Sequence, residues 1–197
     1  MVRTYFIQYK FMVPENIKHS SYTYQKLFRA LYGYMQNVSK SSGKSYKYHR
    51  KGVLSGVPYL RPGKNCVIIP PHAFSPLIEF FKTGKNPAHR WEGKGDWKAV
   101  YYMNEKEIPA EKLVGPLEEL LDRTYIGVPG ESFSLLESEM DRVLNQFKSG
   151  GSIEDAYKKS LVLEAQKITG FEWFSLCTQK SPRLKKFATL TNSLKSP

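Results

Sequence analysis

The chain has 197 residues, 41% hydrophobic and 24% charged, ordinary globular values that allow a sizeable core in one large domain or one domain with an appendage. Its net charge is +12 at neutral pH, which points toward a polyanionic partner. No run approaches the about 18 apolar residues of a membrane span. Cys66 and Cys177, far apart and in apolar surroundings, exclude a disulfide framework or zinc spacing; buried reduced thiols predict a cytoplasmic protein.

At the N-terminus Val2, Tyr5, Ile7, Tyr9 and Phe11 fit a strand over 2–13 with one buried face, rather than a signal peptide, and Pro14 ends it. Ser20 or Ser21 offers an N-cap, and Tyr24, Leu27, Phe28, Leu31, Met35 and Val38 form one apolar stripe. That stripe predicts a helix to about Val38, with Gly33 inside it at a cost of roughly 1 kcal/mol against Ala. Ser41-Ser42-Gly43 breaks the pattern. Strands are predicted over 45–54, 57–61 and 65–70, with a turn at Pro62-Gly63 and a central strand at Cys66-Val67-Ile68-Ile69. Phe74, Leu77, Ile78 and Phe81 predict a short helix over 72–82; a polar loop containing Trp91 and Trp97 follows, then a strand over 98–107.

Pro109 marks a boundary, after which the period turns helical. Helices are predicted over 111–123, over 132–148 with Ser132 as cap, and from Ser152 to about 168, with Asp155 in the first turn of the last. From Lys180 the Ser/Thr/Lys-rich tail is predicted to be mobile, with one helical turn near 184–190. The order implies an α+β fold: a mixed or antiparallel sheet with one long helix and a basic β-hairpin in the N-terminal part, followed by a helical C-terminal third. The corresponding regions are 1–109, basic; 110–179, acidic and helical; and 180–197, basic. A helix followed by a basic hairpin is the order of a winged helix, but that fold needs three helices before the wing and this sequence offers one.

Charge is concentrated between Lys40 and Lys64. Lys40, Lys44, Lys47, Arg50, Lys51, Arg61 and Lys64, with the titratable His49, occur there without one Asp or Glu, and Tyr46, Tyr48 and Tyr59 sit among them. Cations that meet phosphate, interleaved with rings that stack on bases or sugars, suit a nucleic-acid surface; solvated surfaces usually intersperse both signs. Arg29, Lys44, Tyr46, Lys47, Tyr48, Arg50, Lys51, Arg61 and Lys64 are the candidate contacts, and Arg90, Trp91 and Lys94, with Trp97 nearby, form a second zone. Lys outnumbers Arg, which favours point-charge phosphate contact over bidentate base reading. The expectation is a non-enzymatic protein that binds DNA or RNA with low sequence specificity.

Two alternatives follow from other residues. Glu92-Gly-Lys94 and Asp96-Trp-Lys98 carry the acid-x-Lys ending of metal-dependent nucleases, with only Glu15 and Glu79 upstream to complete a site. An adaptor in a nucleoprotein assembly would instead use the acidic helices 111–168 to bind a protein. Gly43-Lys44-Ser45 lacks the remainder of a phosphate loop, since Val38 stands where glycine is required and the helix precedes rather than follows. His19, His49, His72 and His89 are scattered with no ligand spacing, so neither a metal nor a cofactor is expected.

Overall fold

The alternating apolar residues near the N-terminus form β1 (Val2–Met12), the strand on which the first half of the chain is built. The computed structural model describes residues 1–39, 43, 45–88, 95–130 and 133–195. They divide into two compact units, Met1–Ile108 and Pro109–Pro197.

In the first unit β1 pairs on one side with β5 (Cys66–Ile69) and on the other with β6 (Lys98–Ile108); β4 (Leu60–Gly63) completes the sheet beside β5. The strand order is β4-β5-β1-β6 and every pairing is antiparallel. Two helices connect these strands, α1 (Tyr22–Tyr32) leading from β1 toward β4 and α2 (Phe74–Thr83) from β5 to β6. Each connection skips one strand, so the sheet is two interlocked split β-α-β units. Ile7, Tyr9 and Phe11 of β1 and Val67 and Ile69 of β5 pack against Leu27, Ala30 and Leu31 of α1 and Leu77, Phe80 and Phe81 of α2. Both helices therefore cover the same face of the sheet.

Three sequence expectations change in this unit. The helix does not reach Val38: it stops at Tyr32, and residues 34–39 form a strand, β2 (Tyr34–Ser39), which pairs with β3 (Ser45–Arg50). The basic hairpin is thus β2–β3, and its first strand lies where the sequence predicts the end of the helix. Met35 and Val38 prolong the helical spacing of the stripe although they fall on opposite faces of the ribbon, and Gly33 ends the helix before them, at φ 78° and ψ 175°, a region that is nearly glycine-only. The turn before β5 lies at Lys64-Asn65, with Asn65 at φ 56°, while Pro62-Gly63 belongs to β4. Trp97, grouped by sequence with the second contact zone, is buried against Phe11 and Phe80, with ring centroids 5.6 and 5.5 Å away.

The second unit holds α3 (Val114–Asp122), a hairpin of β7 (Tyr125–Gly127) and β8 (Phe133–Leu135), then α4 (Leu136–Lys148), α5 (Asp155–Thr169), α6 (Glu172–Cys177) and α7 (Pro182–Lys195). Ser132, the predicted cap of the second helix, lies outside the described residues, and α4 starts at Leu136 after β8; α5 begins at Asp155, so Ser152 does not cap it. The tail is the largest departure. It forms α7, which packs on α4 and α5 with Leu184, Phe187, Leu190, Thr191 and Leu194 buried. Its apolar residues recur at helical spacing, and Ser181 caps it by accepting from the Leu184 amide at 3.2 Å.

Candidate nucleic-acid interface

The ribbon β2–β3 is a two-stranded sheet of its own, not hydrogen-bonded into the four-stranded one. Its register, Tyr34 opposite Arg50, Gln36 opposite Tyr48, Asn37 opposite Lys47 and Val38 opposite Tyr46, sorts the side chains by face. One face carries Tyr34, Gln36, Val38, Tyr46, Tyr48 and Arg50; the other carries Met35, Asn37, Lys47 and His49. The candidate rings and the candidate lysine are therefore on opposite sides of one ribbon.

Two glycines tie the ribbon to α1. Gly33 leaves the helix and Gly52 returns from β3, and the two backbones touch: a methyl on Gly52 would collide with the Gly33 nitrogen, and one on Gly33 would come within 2.7 Å of the Arg50 carbonyl oxygen. The Ser55 hydroxyl accepts from the Gly52 amide at 2.7 Å and donates to the Tyr32 carbonyl at 3.0 Å. The amides of Val53 and Leu54 donate to the carbonyls of Ala30 and Leu31, which the end of the helix would otherwise leave without partners. Closeness to this neck thus explains Gly33, whose role the sequence leaves open.

At the base of the ribbon the arginines lie over tyrosines. The Arg29 guanidinium is 5.2 Å from the Tyr22 ring centroid and 5.0 Å from that of Tyr34. Arg50 lies 5.7 Å from the Tyr48 ring and donates from Nε to Gln36 Oε1 at 2.8 Å. Arg61 of β4 is 4.6 Å from the Tyr32 ring, whose hydroxyl shares a 2.8 Å hydrogen bond with that of Tyr9. Burial pushes both phenols above the ordinary tyrosine range. Rings and an amide oxygen fix the guanidinium planes without cancelling their charge. From residue 16 to 78 the chain contains no Asp or Glu.

Lys47, Arg50, Lys51, Arg61 and Lys64 are all exposed, while Arg29, Tyr46 and Tyr48 are half-buried. Lys51 lies just past β3 beside the glycine neck, and Lys64 in the β4–β5 turn. Lys44, Arg90, Trp91 and Lys94 lie outside the described residues, as does Glu92. Tyr34 and Gln36, which orient the arginines, are missing from the sequence-based set because a helix running through Gly33 hides the strand, and Tyr22, at the start of α1, is missing because its ring meets Arg29 only about two helical turns further on. The signal that could have found them is Gly33 itself, followed by Tyr34-x-Gln36-x-Val38 mirrored by Tyr46-x-Tyr48.

No family model, curated protein or solved structure matches this chain. Among the described residues no group of three or more His, Cys, Asp or Glu is placed to hold a metal ion. No helix among them is long and apolar enough to cross a membrane. Of the acids considered for a nuclease site, Glu15 and Asp96 are exposed and Glu79 faces Lys85 at 4.0 Å.

Proposed function

We propose that the first unit binds nucleic acid through its phosphate backbone, with low sequence specificity, and that the β2–β3 ribbon with its tyrosine-braced arginines is the main contact. The observation that carries this reading is the set of cations on and around the ribbon, with Lys47, Arg50, Lys51, Arg61 and Lys64 exposed and Arg29, Arg50 and Arg61 lying over tyrosine rings, in a stretch free of acidic residues. A guanidinium braced by aromatic faces keeps N–H donors for phosphate oxygens and loses little side-chain entropy on binding.

The acidic helices support an adaptor role less well, because many of their carboxylates have partners within their own unit. Arg183 reaches Asp122 and Glu137 at 2.8 and 2.7 Å, Lys186 reaches Asp141 at 2.5 Å, and Lys180 reaches Glu111 at 2.6 Å. Glu139 is buried between Arg142 and the Tyr157 hydroxyl.

The test is fluorescence anisotropy of a labelled oligonucleotide titrated with protein at several salt concentrations. Replacing Lys47, Arg50 and Lys51 together by Ala should flatten the slope of log K against log salt by about two to three units. An unchanged slope would remove the ribbon from the interface.

A further inference from the structure

The four-stranded sheet has a second face, and its composition differs from that of the helix-covered one. Side chains alternate along β1 and β6, so the register Phe6–Asn104, Gln8–Tyr102, Lys10–Val100 and Met12–Lys98 places these eight residues on the face opposite the helices. Ile68 of β5 lies opposite Phe6 and Cys66 opposite Gln8, on the same side. Val2 and Thr4 are buried at one end of this face, but from Gln8 to Met12 it is open, with Tyr102 and Val100 each 61% exposed.

Charge is sorted by face as well. Lys10, Lys98 and Lys106 are on the open side, and the Lys106 ammonium lies 4.7 Å from the Phe6 ring centroid. The acids of β6, Glu105 and Glu107, point to the helix side, where Glu105 pairs with Arg3. Among the described residues, the open face of the four strands carries no acid. It thus combines an exposed tyrosine on a half-buried apolar floor of Phe6 and Ile68, two amides at Gln8 and Asn104 for base edges, and three lysines for phosphates.

We infer that this open sheet face is a second nucleic-acid site, selective for single strands, on which an unpaired base stacks on Tyr102 while Lys10, Lys98 and Lys106 meet the flanking phosphates. A ring on a sheet reaches only bases that are not already stacked in a duplex, whereas cations on a ribbon meet phosphates of either form. Tyr102 and Phe6 are diagonal neighbours in the ladder, about 7–8 Å apart, so bases of one extended strand can occupy adjacent positions. The inference rests on the nucleic-acid reading of the ribbon, and it adds the preferred form of the ligand.

The experiment compares a short labelled oligonucleotide, as RNA and as DNA, with the same sequence annealed to its complement. Tyr102→Ala should weaken single-strand binding about tenfold and leave duplex binding unchanged, and Tyr102→Phe should retain single-strand affinity. Replacing Lys10, Lys98 and Lys106 by Ala should flatten the single-strand salt slope by about two units. Mapping ultraviolet crosslinks on the unaltered protein should find the β6 peptide containing Tyr102. If Tyr102→Ala leaves single-strand affinity intact while the ribbon variant loses its salt slope, the sheet site is overturned and the ribbon reading stands. If the unaltered protein binds neither form, both fall. If Tyr102→Ala instead changes the sedimentation of the protein alone with no effect on affinity, the face joins copies of this chain and the inference is wrong.

Discussion

Gly33 turns the apolar stripe of α1 into two elements. Its φ of 78° and ψ of 175°, and its contact with Gly52, require a residue without a side chain. Gly33→Ala should destabilise the protein by about 1–3 kcal/mol or more, read as a lowered urea midpoint, and should weaken nucleic-acid binding beyond the loss of folded protein because the ribbon is re-aimed. The converse expectation, that Ala would help a long helix, is what the sequence pattern alone implies. Arg29, Lys47, Arg50 and Lys51 were legible as cations in an acid-free stretch, since charge needs no fold to be counted. Of the tyrosines that brace Arg29 and Arg50, Tyr48 was among the candidates but Tyr22 and Tyr34 were not, because a cation–ring contact depends on register and on where the helix ends.

Among the elements, α7 departs most from its sequence expectation, and burial shows why. Leu184, Phe187, Leu190 and Leu194 are buried, and Arg183 is held by Glu137 and Asp122, which drive its guanidinium further toward the charged form. The Ser, Thr and Lys residues between them suggest a solvated tail until the spacing of the apolar ones is read. Phe187→Ala should cost about 3–5 kcal/mol, and deleting residues 182–197 should abolish cooperative unfolding of the second unit in a thermal melt; a mobile tail would leave the melt unchanged. Between α4 and α5 the Glu139 carboxylate accepts from Arg142 and from the Tyr157 hydroxyl, at 2.8 Å for the latter. The Arg142 hydrogen bonds hold its carboxyl below the ordinary range despite burial. A depressed carboxylate contributes stability above its unfolded pKa and loses that contribution as pH falls through the folded value. The stability gap between the protein and Glu139→Gln, followed by urea unfolding, should therefore be full at pH 6 and narrow below about pH 4. The strands were easier to read: β1, β5 and β6 fall close to their alternating or continuous apolar runs, which tertiary packing reinforces.

Over the whole molecule, the net charge belongs to one unit. All of the +12 lies in residues 1–108, while Lys and Arg balance Asp and Glu in residues 109–197. The α+β class and the unequal charge were visible in the sequence because both are set by composition and period. The interlocked strand order was not, since nothing local says that β1 sits between β5 and β6, and with it was hidden the open sheet face that Tyr102 shares with Lys10 and Lys106. The central claim is that this unit binds phosphate backbones through several cations at once. The most direct measurement is the affinity of the unaltered protein for two oligonucleotides of unrelated sequence across a salt series. Similar affinities and a slope of log K against log salt of about −4 to −6 are predicted from the exposed cations around the ribbon. Undetectable binding at low salt, or an affinity that ignores salt, would contradict it.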